Sequence, residues 1–272
     1  MKRILLACLA AMALACGSDP TGGDGDGSDS AAFSDEERIL ADQIISVFEN
    51  NTPLIDYAYA ENLDDGRGIT AGRAGFTSAT GDMLEVVERY TEIDPDNVLA
   101  GYLPRLRELA AEESGEVDGL EGLEDAWAEA ADDPVFRDVQ DEVVDDEYYW
   151  PAVEHADALG LVFPLTLLNI FDTCIQHGDG DDPDGLPEII RRTTEEVGGA
   201  PVDSVGECAW LDAFMEIRRS VLLNPYDPET QEEWAESVGR VDALRVIFEA
   251  GNMMLLPPVE INPWGTPFTL PQ

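Results

Sequence analysis

Two acidic side chains raise the first chemical question. Glu49 closes a run of helical periodicity, and Asp65, sixteen positions later, opens a glycine turn, DDGRGIT at 64–70. One carboxyl group at a helix end and another on a separate loop are what splitting an acetal requires. The protonated one delivers a proton to the leaving oxygen, and the ionised one draws a proton from the attacking water. That division of labour needs surroundings that push the two pKa values apart. The spacing by itself says little, because the chain holds 58 Asp and Glu, and an arbitrary acid in such a sequence is ordinarily a solvated surface group.

The elements that would position the pair are legible in outline. Ser34 followed by Asp35, Glu36 and Glu37 forms a capping box, and Ile39, Leu40, Ile44, Val47 and Phe48 then recur at helical spacing, which predicts a helix from Ser34 to about Glu49. Between Pro53 and Thr80 glycines alternate with short aromatic and β-branched pieces, the pattern of a small antiparallel sheet with tight turns and the only β segment expected. Helices are predicted at about 81–91, 97–112, 120–131, 134–147, 151–158, 161–177, 186–197, 205–223 and 228–250. The proline-rich tail LLPPVEINPWGTPFTLPQ reads as extended chain over the surface.

With 272 residues, 44% hydrophobic, the chain can bury one large core or two lobes sharing a cleft. Its formal charge is −43, and Lys2 is the only lysine. Such a charge excludes nucleic acid as a partner and concentrates polycations near the surface. Adaptation to high salt is a compatible reading. No GxSxG elbow, P-loop, GxGxxG or HExxH occurs, which removes the commonest hydrolase and nucleotide-binding chemistries.

Residues 1–15, with Lys2 and Arg3 ahead of an apolar run, read as a signal peptide too short to span a bilayer. Cys16 ends a small-residue site and is followed by a Gly, Asp and Ser run. The expectation is lipidation at Cys16, a flexible tether over 16–32, a secreted protein held to the cell envelope, and membrane contact only through that anchor; an ordinary secreted protein is the alternative. Cys174 and Cys208 could pair in an oxidising compartment. Cys174 and His177, with Cys208 and His155 elsewhere, supply half of a zinc set at best, so no metal is expected. The run HGDGDDPDG departs from the EF-hand pattern and reads as a loop.

What lifts Glu49 and Asp65 out of the acidic background is the text around them. EN at 49–50, DGRGIT at 65–70, GF at 75–76 and TGDMLE at 80–85 resemble glycoside hydrolase family 46, the chitosanases. Agreement continues through YYWPAV at 148–153, HG at 177–178, the helix with Phe214 and Arg218, and GRVDALRVIFEAGN at 239–252. The resemblance covers residues 33–272 as one catalytic domain. It implies a mainly α, α+β, lysozyme-like fold of two lobes joined by a long helix, with a cleft between them and the small sheet in the N-terminal lobe. It implies endo-acting, inverting hydrolysis of β-1,4 bonds between glucosamine units of chitosan, without cofactor, by a monomer.

Residue by residue, Glu49 falls at the general acid, Asp65 at the general base and Thr70 at the hydroxyl that holds the water. Arg67 either holds the base ionised or stabilises the turn. Asp82 falls at a carboxylate that grips a substrate amine and also suits a helix N-terminus. Tyr59 and Glu61 are further candidates for sugar contact. Asp172, Arg218 and Arg240 fall at a buried relay behind the acid. Three features depart from the family: the stretch from Glu49 to Asp65 is short, Asp64 stands where glycine is common, and LLNPYDPET after Arg218 does not show the acid expected to complete the relay. Arg218 is therefore expected to be partnered differently. Two rival functions remain: a tethered protein that captures cationic polymer without cutting it, and hydrolysis of another glycan such as peptidoglycan.

Overall fold

The computed structural model describes residues 31–271; the signal segment, Cys16 and most of the tether lie outside the described residues. The chain is mostly helical with small antiparallel sheets. It divides into one unit of Leu54–Tyr149 and another built from chain on both sides of it.

In the unit Leu54–Tyr149 the glycine-rich stretch forms the predicted sheet, with β1 (Ala60–Asn62), β2 (Ile69–Ala71) and β3 (Phe76–Thr77) in that order. The register pairs Glu61 with Thr70 and Thr70 with Thr77. Helices α2 (Asp82–Ile93), α3 (Leu103–Glu112), α4 (Leu123–Ala130) and α5 (Pro134–Val144) follow. An aromatic core holds the sheet: Trp127 meets Phe136 edge-on at 4.9 Å and Phe76 at 6.4 Å, and Tyr90 lies 4.8 Å from Phe136. Such pairs add roughly 0.5–1.5 kcal/mol each beyond their buried area. The Tyr57 carbonyl accepts from Trp127 Nε1 at 3.0 Å and Gln140 Nε2 at 3.1 Å, so the segment entering β1 is pinned to α4 and α5. Gly72 has φ +71°, and a β-carbon there would sit 2.4 Å from Gln140 Oε1, so that corner accepts only glycine.

The other unit contains α1 (Asp35–Asn50), α6 (Trp150–Leu159), α7 (Pro164–His177), α8 (Leu186–Val197), α9 (Glu207–Leu223), α10 (Gln231–Glu236) and α11 (Val238–Glu249). The capping box at α1 forms as its residues demand: Ser34 Oγ accepts from Glu37 N, and Glu37 Oε2 accepts from Ser34 N at 2.8 Å. α7 is buried on nearly every side, the signature of an interior helix. It begins at Pro164, three residues later than predicted, because proline biases Phe163 to extended backbone (ψ 131°). The N–H groups of Val162 and Phe163 donate instead to Glu207, at 2.9 and 3.0 Å.

Three further expectations need correction. The helices at 134–147 and 151–158 run on as one, through a π turn at Asp145–Tyr149; the missing N–H of Pro151 falls where that turn already interrupts the regular ladder. The stretch 228–250 is broken, with α10 and α11 separated at Ser237. The tail is more than extended chain: β4 (Val259–Ile261) and β5 (Phe268–Leu270) pair as a second antiparallel sheet, with Pro263 and Pro267 confined to the connecting loop. Cys174 is a free, buried thiol, so it does not bridge to Cys208. Among the described residues no helix is long and apolar enough to cross a membrane.

Candidate active site

Asp65 sits in the loop that joins β1 to β2. The Arg67 amide donates to its Oδ1 at 3.0 Å, and the Arg67 guanidinium donates to its Oδ2 from Nε at 2.9 Å and Nη2 at 2.6 Å. One residue thus holds both carboxylate oxygens of another two positions away, which fixes the side chain as well as its charge. The side-chain bond from Arg67, with the amide behind it, keeps the Asp65 carboxyl below the ordinary aspartate range. The side chain still exposes 31% of its surface, so it stays open to solvent and substrate. Of the two roles foreseen for Arg67, pairing with Asp65 is the observed one, and it stabilises the turn at the same time.

Thr70 follows on β2, where every residue is buried. Its hydroxyl is buried without a protein hydrogen-bond partner among the described residues, an uncommon condition for such a group. Glu61 lies directly across the β1–β2 pair from it, and the Tyr59 hydroxyl donates to Glu61 Oε2 at 3.3 Å. Burial, and then the Glu61 charge, raises the Tyr59 pKa, so the phenol stays protonated. Asp82 opens α2 and uses one oxygen heavily: Oδ1 accepts from Thr77 N at 2.9 Å, Thr80 Oγ at 2.7 Å and Met83 N at 2.8 Å. It therefore fills the helix-start role, and Oδ2 has no partner among the described residues.

In the other unit Glu49 stands in the last turn of α1 and heads a chain of alternating charge. Arg240 Nη1, from α11, donates to Glu49 Oε1 at 2.5 Å, and its Nη2 donates to Asp172 Oδ1 at 2.6 Å. Asp172 Oδ2 in turn lies 2.7 Å from Arg218 Nη2. Asp172 and Arg218 are fully buried, whereas Glu49 exposes 40% of its side chain. The buried Asp172 carboxylate thus lies between the two guanidiniums, so each buried charge faces an opposite one, which is the condition for placing it in a core. Burial works to raise the Asp172 pKa, but Arg240 and then Arg218 outweigh it and hold the group ionised.

Arg218 is indeed partnered without a further acid. Its Nη2 donates to Gln176 Oε1 at 2.5 Å, and its Nε points to His177 Nε2 at 3.4 Å. His177 Nδ1 lies 2.8 Å from the Asp184 carbonyl, which places the proton on Nδ1 and the lone pair toward arginine. Burial, then Arg218, pushes its pKa down to about 3, so it adds no charge to the balanced cluster. Gln176 and His177 were missed as partners of Arg218 from the sequence. The signal available was their position four and five residues after Asp172 on one helix, which puts Gln176 on the same face. His177 is thus engaged by Arg218 and the Asp184 carbonyl, and the Cys174 thiol is pushed up to about 12, by burial first.

The chain matches the family model described as Glycosyl hydrolase family 46 over residues 43–259. It is 48% identical over 232 residues to the chitosanase of Bacillus subtilis (strain 168), covering 85% of this chain and 84% of that one. The solved complex of the Gynuella sunshinyii GH46 chitosanase with chitotetraose is 56% identical with a TM-score of 0.79, covering 89% of this chain and 100% of that one. A mutant chitosanase from Bacillus subtilis MY002 complexed with 6 GlcN is 46% identical with a TM-score of 0.79, covering 88% of this chain and 100% of that one.

Proposed function

The chain belongs to glycosyl hydrolase family 46 and is a glycoside hydrolase of the chitosanase kind, and we propose that it cuts chitosan internally by single displacement, with Glu49 as acid and Asp65 as base. The carrying observation is the Arg67 clamp on Asp65. A base must be ionised when water attacks, and a guanidinium bonded to the carboxylate favours that form.

In the proposed step Asp65 accepts a proton from water while the water oxygen bonds to the anomeric carbon. The glycosidic carbon–oxygen bond breaks, and the proton of Glu49 passes to the leaving oxygen. The new reducing end is then of inverted configuration. Thr70 holds the attacking water, a task for which its hydroxyl is free of protein partners among the described residues and able to donate and accept together. The relay from Arg240 to His177 holds Glu49 in place without touching substrate. Asp82, through Oδ2, and Glu61 with Tyr59 meet the ammonium and hydroxyl groups of the sugar. The formal charge of −43 draws the polycation in.

A reducing-end assay on chitosan with Glu49→Gln and Asp65→Asn tests the pair: undiminished activity in either variant removes that residue from its role. Proton NMR of the first product anomer tests inversion. Export, monomeric action and acylation at Cys16 belong to the same proposal; incorporation of labelled palmitate that persists in Cys16→Ser would remove the anchor.

A further inference from the structure

Two turns of the Leu54–Tyr149 unit meet backbone to backbone. A β-carbon on Gly115 would lie 1.9 Å from the Gly66 carbonyl oxygen, 2.5 Å from its carbonyl carbon and 3.1 Å from the Arg67 amide nitrogen. The Arg67 amide is the group that donates to Asp65 Oδ1. On the facing side, a β-carbon on Gly68 would lie 3.4 Å from the Gly115 carbonyl oxygen. Gly115 does not have the positive φ that disfavours side chains, so what position 115 requires is space and not an unusual torsion.

The turn that presents Gly115 is itself fixed. Glu113 ends α3 with φ 49°, the Ser114 amide donates to the Leu109 carbonyl at 3.0 Å, and Ser114 Oγ accepts from the Glu116 amide at 3.3 Å. Arg105 Nε donates to the Asp118 carbonyl at 2.8 Å. Behind it α3 is anchored by buried Leu103, Leu106 and Leu109. By contrast, the loop from Asp64 to Arg67 is exposed and has no core of its own, so a contact from outside must set its position.

We propose that the turn 113–118 is a backbone brace for the base, and that Gly115 is a positioning residue: glycine there lets the turns close and sets the Gly66–Arg67 peptide whose N–H meets Asp65. The inference rests on Asp65 being the base. The charged groups on the two packed turns are Asp64, Asp65 and Arg67 on one and Glu113, Glu116 and Asp118 on the other. Arg105 of α3 also reaches the second turn, at the Asp118 carbonyl and 3.9 Å from Glu116, but Arg67 is the cation bonded to Asp65, so moving its peptide loosens the contact that holds the carboxylate.

The test measures kcat, KM and the pH profile of kcat/KM on soluble chitosan for Gly115→Ala, Ser114→Ala and Asp65→Asn, with melting temperatures. Gly101→Ala serves as control, because a β-carbon on Gly101 meets nothing within 4 Å. Gly115→Ala is expected to lower kcat about 10- to 100-fold, the scale of a displacement near 1 Å, with KM within about twofold and the acidic limb moved to higher pH. Ser114→Ala removes the acceptor of the Glu116 amide without adding an atom near Gly66. It should fold and move the limb the same way, by less. A wild-type pH limb in Gly115→Ala overturns the brace; if that variant does not fold, a wild-type limb in Ser114→Ala overturns it. Activity retained in Asp65→Asn overturns the base assignment itself, whereas activity lost there beside an unmoved limb in the other two overturns only the brace.

Discussion

Arg240 Nη1 lies 2.5 Å from Glu49 Oε1, while the other terminal nitrogen of the same guanidinium lies 2.6 Å from the buried Asp172. One planar group therefore serves two carboxylates and ties a half-exposed acid to the interior of its unit. A lysine has a single ammonium and cannot span both in this way.

Replacing Arg240 should therefore separate stability from activity. Arg240→Met leaves Asp172 and Arg218 to balance each other and Glu49 unheld, and should cost about 3–5 kcal/mol, the usual scale for breaking a buried ion pair, read by urea denaturation. Arg240→Lys should regain part of that stability while kcat on chitosan stays at least about tenfold down. A stability unchanged in Arg240→Met would contradict the account.

Arg67→Ala should move the acidic limb of kcat/KM. With Arg67 in place the folded Asp65 pKa lies below its usual value, so the proposed base stays ionised, and activity should persist, until pH falls through that lowered value. Removing the guanidinium raises the pKa and brings the loss of activity to higher pH. A limb that does not move would show that another group sets it.

Thr70→Val keeps the β-branched shape and removes only the hydroxyl. Because no protein group among the described residues bonds that hydroxyl, the melting temperature should hold or rise. If Thr70 holds the attacking water as proposed, losing the hydroxyl should lower kcat about tenfold or more. Wild-type kcat in Thr70→Val would remove Thr70 from the chemistry.

His177 gives a stability prediction with a definite sign. Its folded pKa is about 3 against 6.5 for the free side chain, so between those values the unfolded chain binds the extra proton. Stability contributed by the neutral ring is complete above about 6.5 and declines as pH falls toward about 3, by up to about 1.4 kcal/mol per pH unit. His177→Gln keeps an acceptor for Arg218 but does not titrate. Its stability should fall less steeply than wild type across pH 6 to 4, compared by denaturant midpoints; parallel slopes would show that His177 is not the group responsible.

Several features were legible because their causes lie within a few residues of each other. The Ser34 and Glu37 cap spans one turn, and the glycines of DDGRGIT specify a tight loop that carries Asp65 and Arg67 two positions apart. Asp82 at the start of α2 follows from the same local rules. The continuity through Asp145–Tyr149 and the break at Ser237 were harder, since both regions keep helical periodicity and whether a helix runs on or stops depends on how each side packs. The β4–β5 pair was obscured by prolines that fall between the strands.

By itself, then, the sequence determined Glu49 at a helix end, Asp65 on a glycine loop with its arginine, and a charge suited to a polycation. It also placed Asp172, Arg218 and Arg240 among the candidates by resemblance. Only the tertiary structure decided that Arg240 reaches across 191 positions to Glu49, that Arg218 settles on Gln176 and His177, and that Gly115 closes on Gly66. Local propensity acts over three or four residues. Burying two guanidiniums requires charge and hydrogen-bond partners to arrive together from distant segments, and which segments arrive is set by the packing of the whole core.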